Sequence, residues 1–110
     1  MRSPVTDIIP PRVRRSLAKL GKDLKDARRK RNLTVQMMVE RVGVSKATYL
    51  KVEKGNPSVS MGVYAMTLFT LGFSNALDEI ADGRNDDTGM LMDSSRLPQR
   101  VRTKKKLKAL

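Results

Sequence analysis

Residues 34–55, TVQMMVERVGVSKATYLKVEKG, constrain the fold of this chain more than any other stretch. They hold two short helical patterns separated by a single glycine. Thr34 stands where an N-cap belongs, since its hydroxyl can accept from the unpaired N–H groups of a first helical turn. Val35, Met38, Val39 and Val42 then recur at helical spacing and form one apolar face. Gly43 follows where a helix end takes a left-handed residue, a conformation glycine adopts without steric cost. Val44 is an apolar plug in the turn and Ser45 a second N-cap. Tyr49 and Val52 mark the inner side of a second helix, which Gly55 stops.

Two helices joined by a turn this short, with a glycine inside it, make a helix-turn-helix, whose second helix enters the major groove of DNA. The first helix of the pair is expected at about residues 35–42 and the recognition helix at about 46–54. At 110 residues the chain has room for one domain and tails. Its net charge of +12 points to a polyanionic partner. The charge is unevenly placed. Residues 1–31 hold eleven Lys and Arg against three acids, residues 77–93 six acids and one Arg, and residues 96–110 seven Lys and Arg with no acid.

The reading along the chain is all-α. Residues 1–13 carry three of the five prolines and no periodic pattern, which predicts a flexible basic arm. From Arg14 to Arg31, Leu17, Leu20, Leu24 and Ala27 form one apolar stripe, with Lys19, Lys22, Lys25, Arg29, Lys30 and Arg31 on the other faces. Gly21 inside this helix costs about 1 kcal/mol relative to alanine, so a break or late start near it is open. Asn32 can close the helix. After the Asn56-Pro57-Ser58 loop, Ser58 or Ser60 caps a fourth helix, Met61 to Leu71. Its apolar residues spread too widely for a one-faced helix, which places it at the centre of the core or against a partner. Gly72 ends it, and Ser74 caps a fifth helix, Asn75 to Asp82, that Gly83 ends. The domain is thus residues 14–83. Residues 84–110 form an acidic-then-basic tail, with an apolar island at Met90-Leu91-Met92, that is either disordered in part or ordered by a partner.

With this motif laid out, residues 17–82 resemble the five-helix, lambda-repressor-like DNA-binding domain of the XRE family. The resemblance rests on Gly43, the run Val44-Ser45-Lys46-Ala47-Thr48-Tyr49 and the closing Val52-Glu53-Lys54-Gly55. It implies an ion pair between Arg28 and Glu53, whose fork-and-carboxylate geometry would lock helix one to helix three. It implies base contacts from Lys46, Ala47 and Lys51: the lysines toward guanine O6/N7, the alanine toward a thymine methyl. Backbone contacts fall to Gln36, Ser45, Thr48, Lys54 and Arg29. Two positions depart from the family. Val35 stands where a phosphate-gripping glutamine is common, with Gln36 beside it, and Val39 stands where Ala or Gly is usual. Residues from helix four onward, MGVYAMTLFTLGFSNALDEIADGRNDDTGM and LPQRVR, look like regulators of the HipB type. That similarity implies an antitoxin and autorepressor with a HipA-like kinase toxin as partner; the alternative is a plain phage-type or metabolic regulator of the same family without a toxin.

Other function classes find less in the residues. There is no histidine and no cysteine, hence no thiolate nucleophile, disulfide or thiolate metal site, and no cofactor motif. The acids Asp78, Glu79, Asp82, Asp86 and Asp87 lack the alternating ligand pattern of a calcium loop. No apolar run approaches the roughly 18 residues of a membrane span. The expectation is therefore a non-enzymatic, cytoplasmic regulator of bacterial type that binds double-stranded operator DNA. One recognition helix covers few base pairs, so a homodimer is expected on a palindrome with half-sites about 10 bp apart. Phe73, Leu77 and Ile80 are its expected dimer surface.

Overall fold

In the computed structural model, which describes residues 8–92 and 97–103, the longest helix starts at a proline: α1 spans Pro11–Lys30. Proline suits the first helical position, where an N–H would have no intrahelical partner and the fixed φ is already helical. The expected start at Arg14 is corrected accordingly, and Pro11, Arg12 and Val13 belong to the helix rather than to an arm. Residues 1–7 of the expected arm, and 93–96 and 104–110 of the expected tail, lie outside the described residues.

Three further helices follow, α2 (Val35–Val42), α3 (Lys46–Glu53) and α4 (Met61–Thr70). Each opens on a hydroxyl cap. Thr34 Oγ1 accepts from the Met37 N–H at 3.1 Å, Ser45 Oγ from Thr48 at 3.1 Å and Ser60 Oγ from Val63 at 3.3 Å. The turns between helices use left-handed residues: Asn32 (φ 54°), Gly43 (φ 80°) and Gly72 (φ 96°). All regular structure among the described residues is helical.

The chain divides into two compact units, Met1–Leu77 and Asp78–Leu110. In the first, Leu24 and Ala27 of α1, Met38 and Val42 of α2, Tyr49 and Val52 of α3, and Tyr64 and Leu71 at α4 form the buried core. Val35 and Val39 are half-buried against it. Thr67 is fully buried, and its hydroxyl donates to the Val63 carbonyl at 2.9 Å, so no polar atom is left unpaired there. Gly21 does not break α1; it is buried because the backbone after α3 crosses the helix there. A Cβ on Gly21 would meet the Gly55 nitrogen and lie 2.7 Å from the Glu53 carbonyl oxygen, and a Cβ on Gly55 would land on the Leu17 carbonyl. The two glycines let two backbones touch.

The expected fifth helix is a single turn, α5 (Ala76–Glu79), instead of Asn75 to Asp82. Asp82 is extended (φ −57°, ψ 137°), and its carboxylate accepts from the Arg84 N–H at 2.9 Å, capping a 3-10 turn at Gly83–Asn85. The capping chemistry of Asp82 competes with continuing the helix. In the second unit Asp86 caps another turn, α6 (Asp87–Met90), by accepting from the Gly89 N–H at 2.8 Å. Capped single turns of this kind leave no periodic signal. Met90, Leu91 and Met92 are exposed.

Candidate nucleic-acid interface

Helix α3 is two-sided. Tyr49 and Val52 are completely buried, whereas Lys46, Ala47, Leu50, Lys51 and Lys54 all face solvent. Spacings of three and four residues bring these five onto one face, since each residue advances about 100° around the axis. Lys46 and Ala47 occupy the first turn and Lys51 lies one turn on, so the residues assigned to base contacts share a surface. Leu50 lies among them at 39% exposure, an apolar side chain beside Ala47 and three lysines. Sequence reasoning passed over it because the motif suggested no role for that position.

The backbone of α3 is fixed at both ends. At its start the Ser45 hydroxyl takes the Thr48 N–H and donates to Thr48 Oγ1 at 3.0 Å. Both hydroxyls assigned to DNA phosphates are thus engaged in the cap, with Thr48 half-buried. At its end Glu53 is held from α1. Arg28 donates through Nε at 2.6 Å and through Nη2 at 3.2 Å to the two carboxylate oxygens. Its third donor, Nη1, reaches the Leu33 carbonyl at 2.9 Å, and the Tyr49 hydroxyl donates to Glu53 from within α3. The hydrogen bond to Glu53 raises the Arg28 pKa, with burial opposing it. Burial foremost, then the same carboxylate, pushes the Tyr49 phenol well up. The Arg28–Glu53 pair therefore ties α1, the turn after it and α3 together. The sequence marks Tyr49 as core alone; its spacing of four from Glu53 is the available sign of this second role.

Residues 19–79, more than half of the chain, match the family model of a helix-turn-helix domain. The chain belongs to that family. Comparison with curated proteins and with solved structures gave no match. This helix-turn-helix domain is the module of a DNA-binding regulator, and α2 and α3 both lie within the matched residues.

Around α3, the other residues assigned to DNA are dispersed. Arg29 is exposed near the end of α1, and Gln36 is exposed at the start of α2, where its amide donates to Glu40 at 3.2 Å. On α1, Lys19 and Lys22 are paired with Asp23 and Asp26 one turn on, at 2.6 and 3.3 Å. The residues assigned to the dimer do not form one helical face. Phe73 precedes α5 and is 42% exposed; the Arg31 guanidinium stacks over its ring at 5.2 Å. Together they border an open groove of about 390 Å³ with Asp23, Asp26, Ala27 and Lys30. Leu77 is half-buried, and Ile80 lies in the second unit, 69% exposed. Among the described residues no helix is long and apolar enough to cross a membrane.

Proposed function

We propose that the protein is a sequence-specific transcriptional repressor that binds a palindromic operator as a homodimer through α3. The observation that carries this reading is the solvent face of α3, where Lys46, Ala47 and Lys51 stand together on a helix fixed at both ends. A helix that reads bases must hold its side chains in register with the base pairs, and the caps and the buried ion pair supply that rigidity. Lys46 and Lys51 donate to guanine O6/N7, while Ala47 and the exposed Leu50 meet thymine methyl groups. Arg29, Gln36 and Lys54, with the cations of α1, neutralise phosphates, which makes affinity fall steeply with salt. The protein acts by binding rather than catalysis, in the cytoplasm where its DNA lies.

The test is a titration of the full chain against its own promoter and a scrambled duplex at two salt concentrations, repeated with Lys46→Ala. The wild type should prefer the promoter by at least about 10³-fold, and Lys46→Ala should lower and relax that preference. Equal binding to both duplexes, collapsing with salt, would leave a basic DNA-coating domain and refute the repressor. The likeness of residues 61–102 to HipB-type regulators supports a kinase-toxin partner. Co-purification with the product of an adjacent kinase gene tests that pairing, and a promoter-specific protein that captures no kinase is the plain regulator.

A further inference from the structure

Helix α4 reads MGVYAMTLFT and contains no charged residue, in a chain of net charge +12. Its inner side is Tyr64, Thr67 and, just past its end, Leu71, all buried. That side is complete: the Tyr64 hydroxyl donates to the Asn56 carbonyl at 2.7 Å and Thr67 to its own helix. A helix packed on one side only would carry polar residues on the other. Here the outward side is Gly62, Ala65, Met66 and Phe69, with Met61 at its edge. Phe69 is 63% exposed, Met61 71% and Met66 43%.

We propose that this outward face of α4, rather than the fifth helix, is the centre of the interface between two copies of the chain. The proposal rests on the dimeric reading above and locates its contact. Charge selects the occupant. Two chains of +12 repel wherever their basic surfaces meet, so a face without charge is where they can approach closely. An acidic protein or a nucleic acid would be drawn to the cations of α1 and α3 and would find nothing to pair with on α4. The face also suits a two-fold, in which a patch meets its own copy and must be self-complementary. It sets the small Gly62 and Ala65 beside the large Met66 and Phe69, so that the large side chains of one copy can lie over the small ones of the other.

The size of the patch sets the strength of the contact. Met61, Met66 and Phe69 expose on the order of 350 Å² per chain, taking each whole side chain at about 200 Å². A standard stable interface takes ~800 Å² from each partner. The free protein should therefore associate weakly and reversibly, with DNA carrying two half-sites completing the assembly.

Sedimentation equilibrium of the full chain over a wide concentration range, alone and on a duplex with two half-sites, tests this with Phe69→Glu, Met66→Lys and Ile80→Glu. All three sites are exposed, and circular dichroism verifies that each variant is folded. Phe69→Glu and Met66→Lys should each weaken self-association and cooperative loading at least tenfold, while Ile80→Glu leaves both unchanged. Weakening by Ile80→Glu alone, or by none of the three, would overturn the α4 interface while leaving the dimer standing. A wild type that stays monomeric in solution and loads the two half-sites independently would overturn the dimer and this inference together.

Discussion

Replacing Glu53 by glutamine removes one charge and almost no volume, which isolates the electrostatics of the Arg28–Glu53 pair. The side chains of the two residues are 11% and 6% exposed, so the pair is shielded from water and little screened by salt. Losing one partner of such a pair costs about 3–5 kcal/mol, because the other charge stays buried without compensation. The glutamine oxygen can still accept one of the two Arg28 hydrogen bonds, and Nη1 keeps the Leu33 carbonyl, which favours the lower end, about 3 kcal/mol. Against a total stability of roughly 5–15 kcal/mol that is a large fraction. At ~4–8 °C per kcal/mol for a domain of this size, Tm should fall by roughly 12–24 °C. Thermal and urea unfolding near neutral pH measure it. The double variant Arg28→Met/Glu53→Leu removes both charges and should recover part of the loss, as apolar replacement of buried pairs does. A Glu53→Gln loss below about 1 kcal/mol, the range of an exposed pair, would refute the claim that this pair locks α3 to α1.

Gly21→Ala gives a test of sign. In an ordinary helix interior the change stabilises by about 1 kcal/mol; here the new Cβ meets the Glu53 and Gly55 backbone, and overpacking of about 1–3 kcal/mol should leave the variant less stable than wild type. Increased stability in urea would show that the two backbones do not touch. Alkaline pH gives a second test. Burial raises the pKa of Tyr49, helped by Glu53, and of Tyr64, so both hold their protons more tightly folded than unfolded. That contribution is fully present below the unfolded pKa of about 10 and is lost as pH rises through the folded values, so unfolding free energy should fall above about pH 10. Tyr49→Phe should flatten the fall, and an equally steep fall in that variant would remove Tyr49 as its source.

What could be read from the residues was whatever leaves a local mark. The caps at Thr34 and Ser45, the left-handed Gly43 and the inner side of α3 are near-neighbour chemistry, and they placed α2 and α3. The proline content of residues 1–13 predicts an arm, yet Pro11 is the first residue of α1, a position where the missing N–H costs nothing. Helix propensity does not account for Gly21. Its reason lies more than thirty residues away at Gly55, a separation no local pattern spans. The fifth helix was overextended because Ala76, Leu77, Ile80 and Ala81 have helical spacing, while Asp82 serves the turn that follows it. For the site, the family resemblance implies Lys46, Ala47 and Lys51, which share one face of α3, but gives no reason to notice Leu50 there.

The apolar spread of α4 left two readings open, central helix or partner-facing helix, and its two sides answer separately. Tyr64 and Thr67 make it central; Phe69 and Met61 leave an apolar surface that the core does not use. The same division runs through α3, where the buried side carries Tyr49 and the held carboxylate of Glu53, and the outer side carries the lysines. In both helices the inner contacts are satisfied within the chain, and the outward residues contribute nothing to the core. Cations on one outward face and uncharged apolar groups on the other call for different partners. A polyanion neutralises the first, whereas burial by a surface without charge suits the second. In the dimer proposed above, repulsion between chains of +12 would oppose assembly away from DNA, and phosphate neutralisation would remove that opposition where two half-sites lie together.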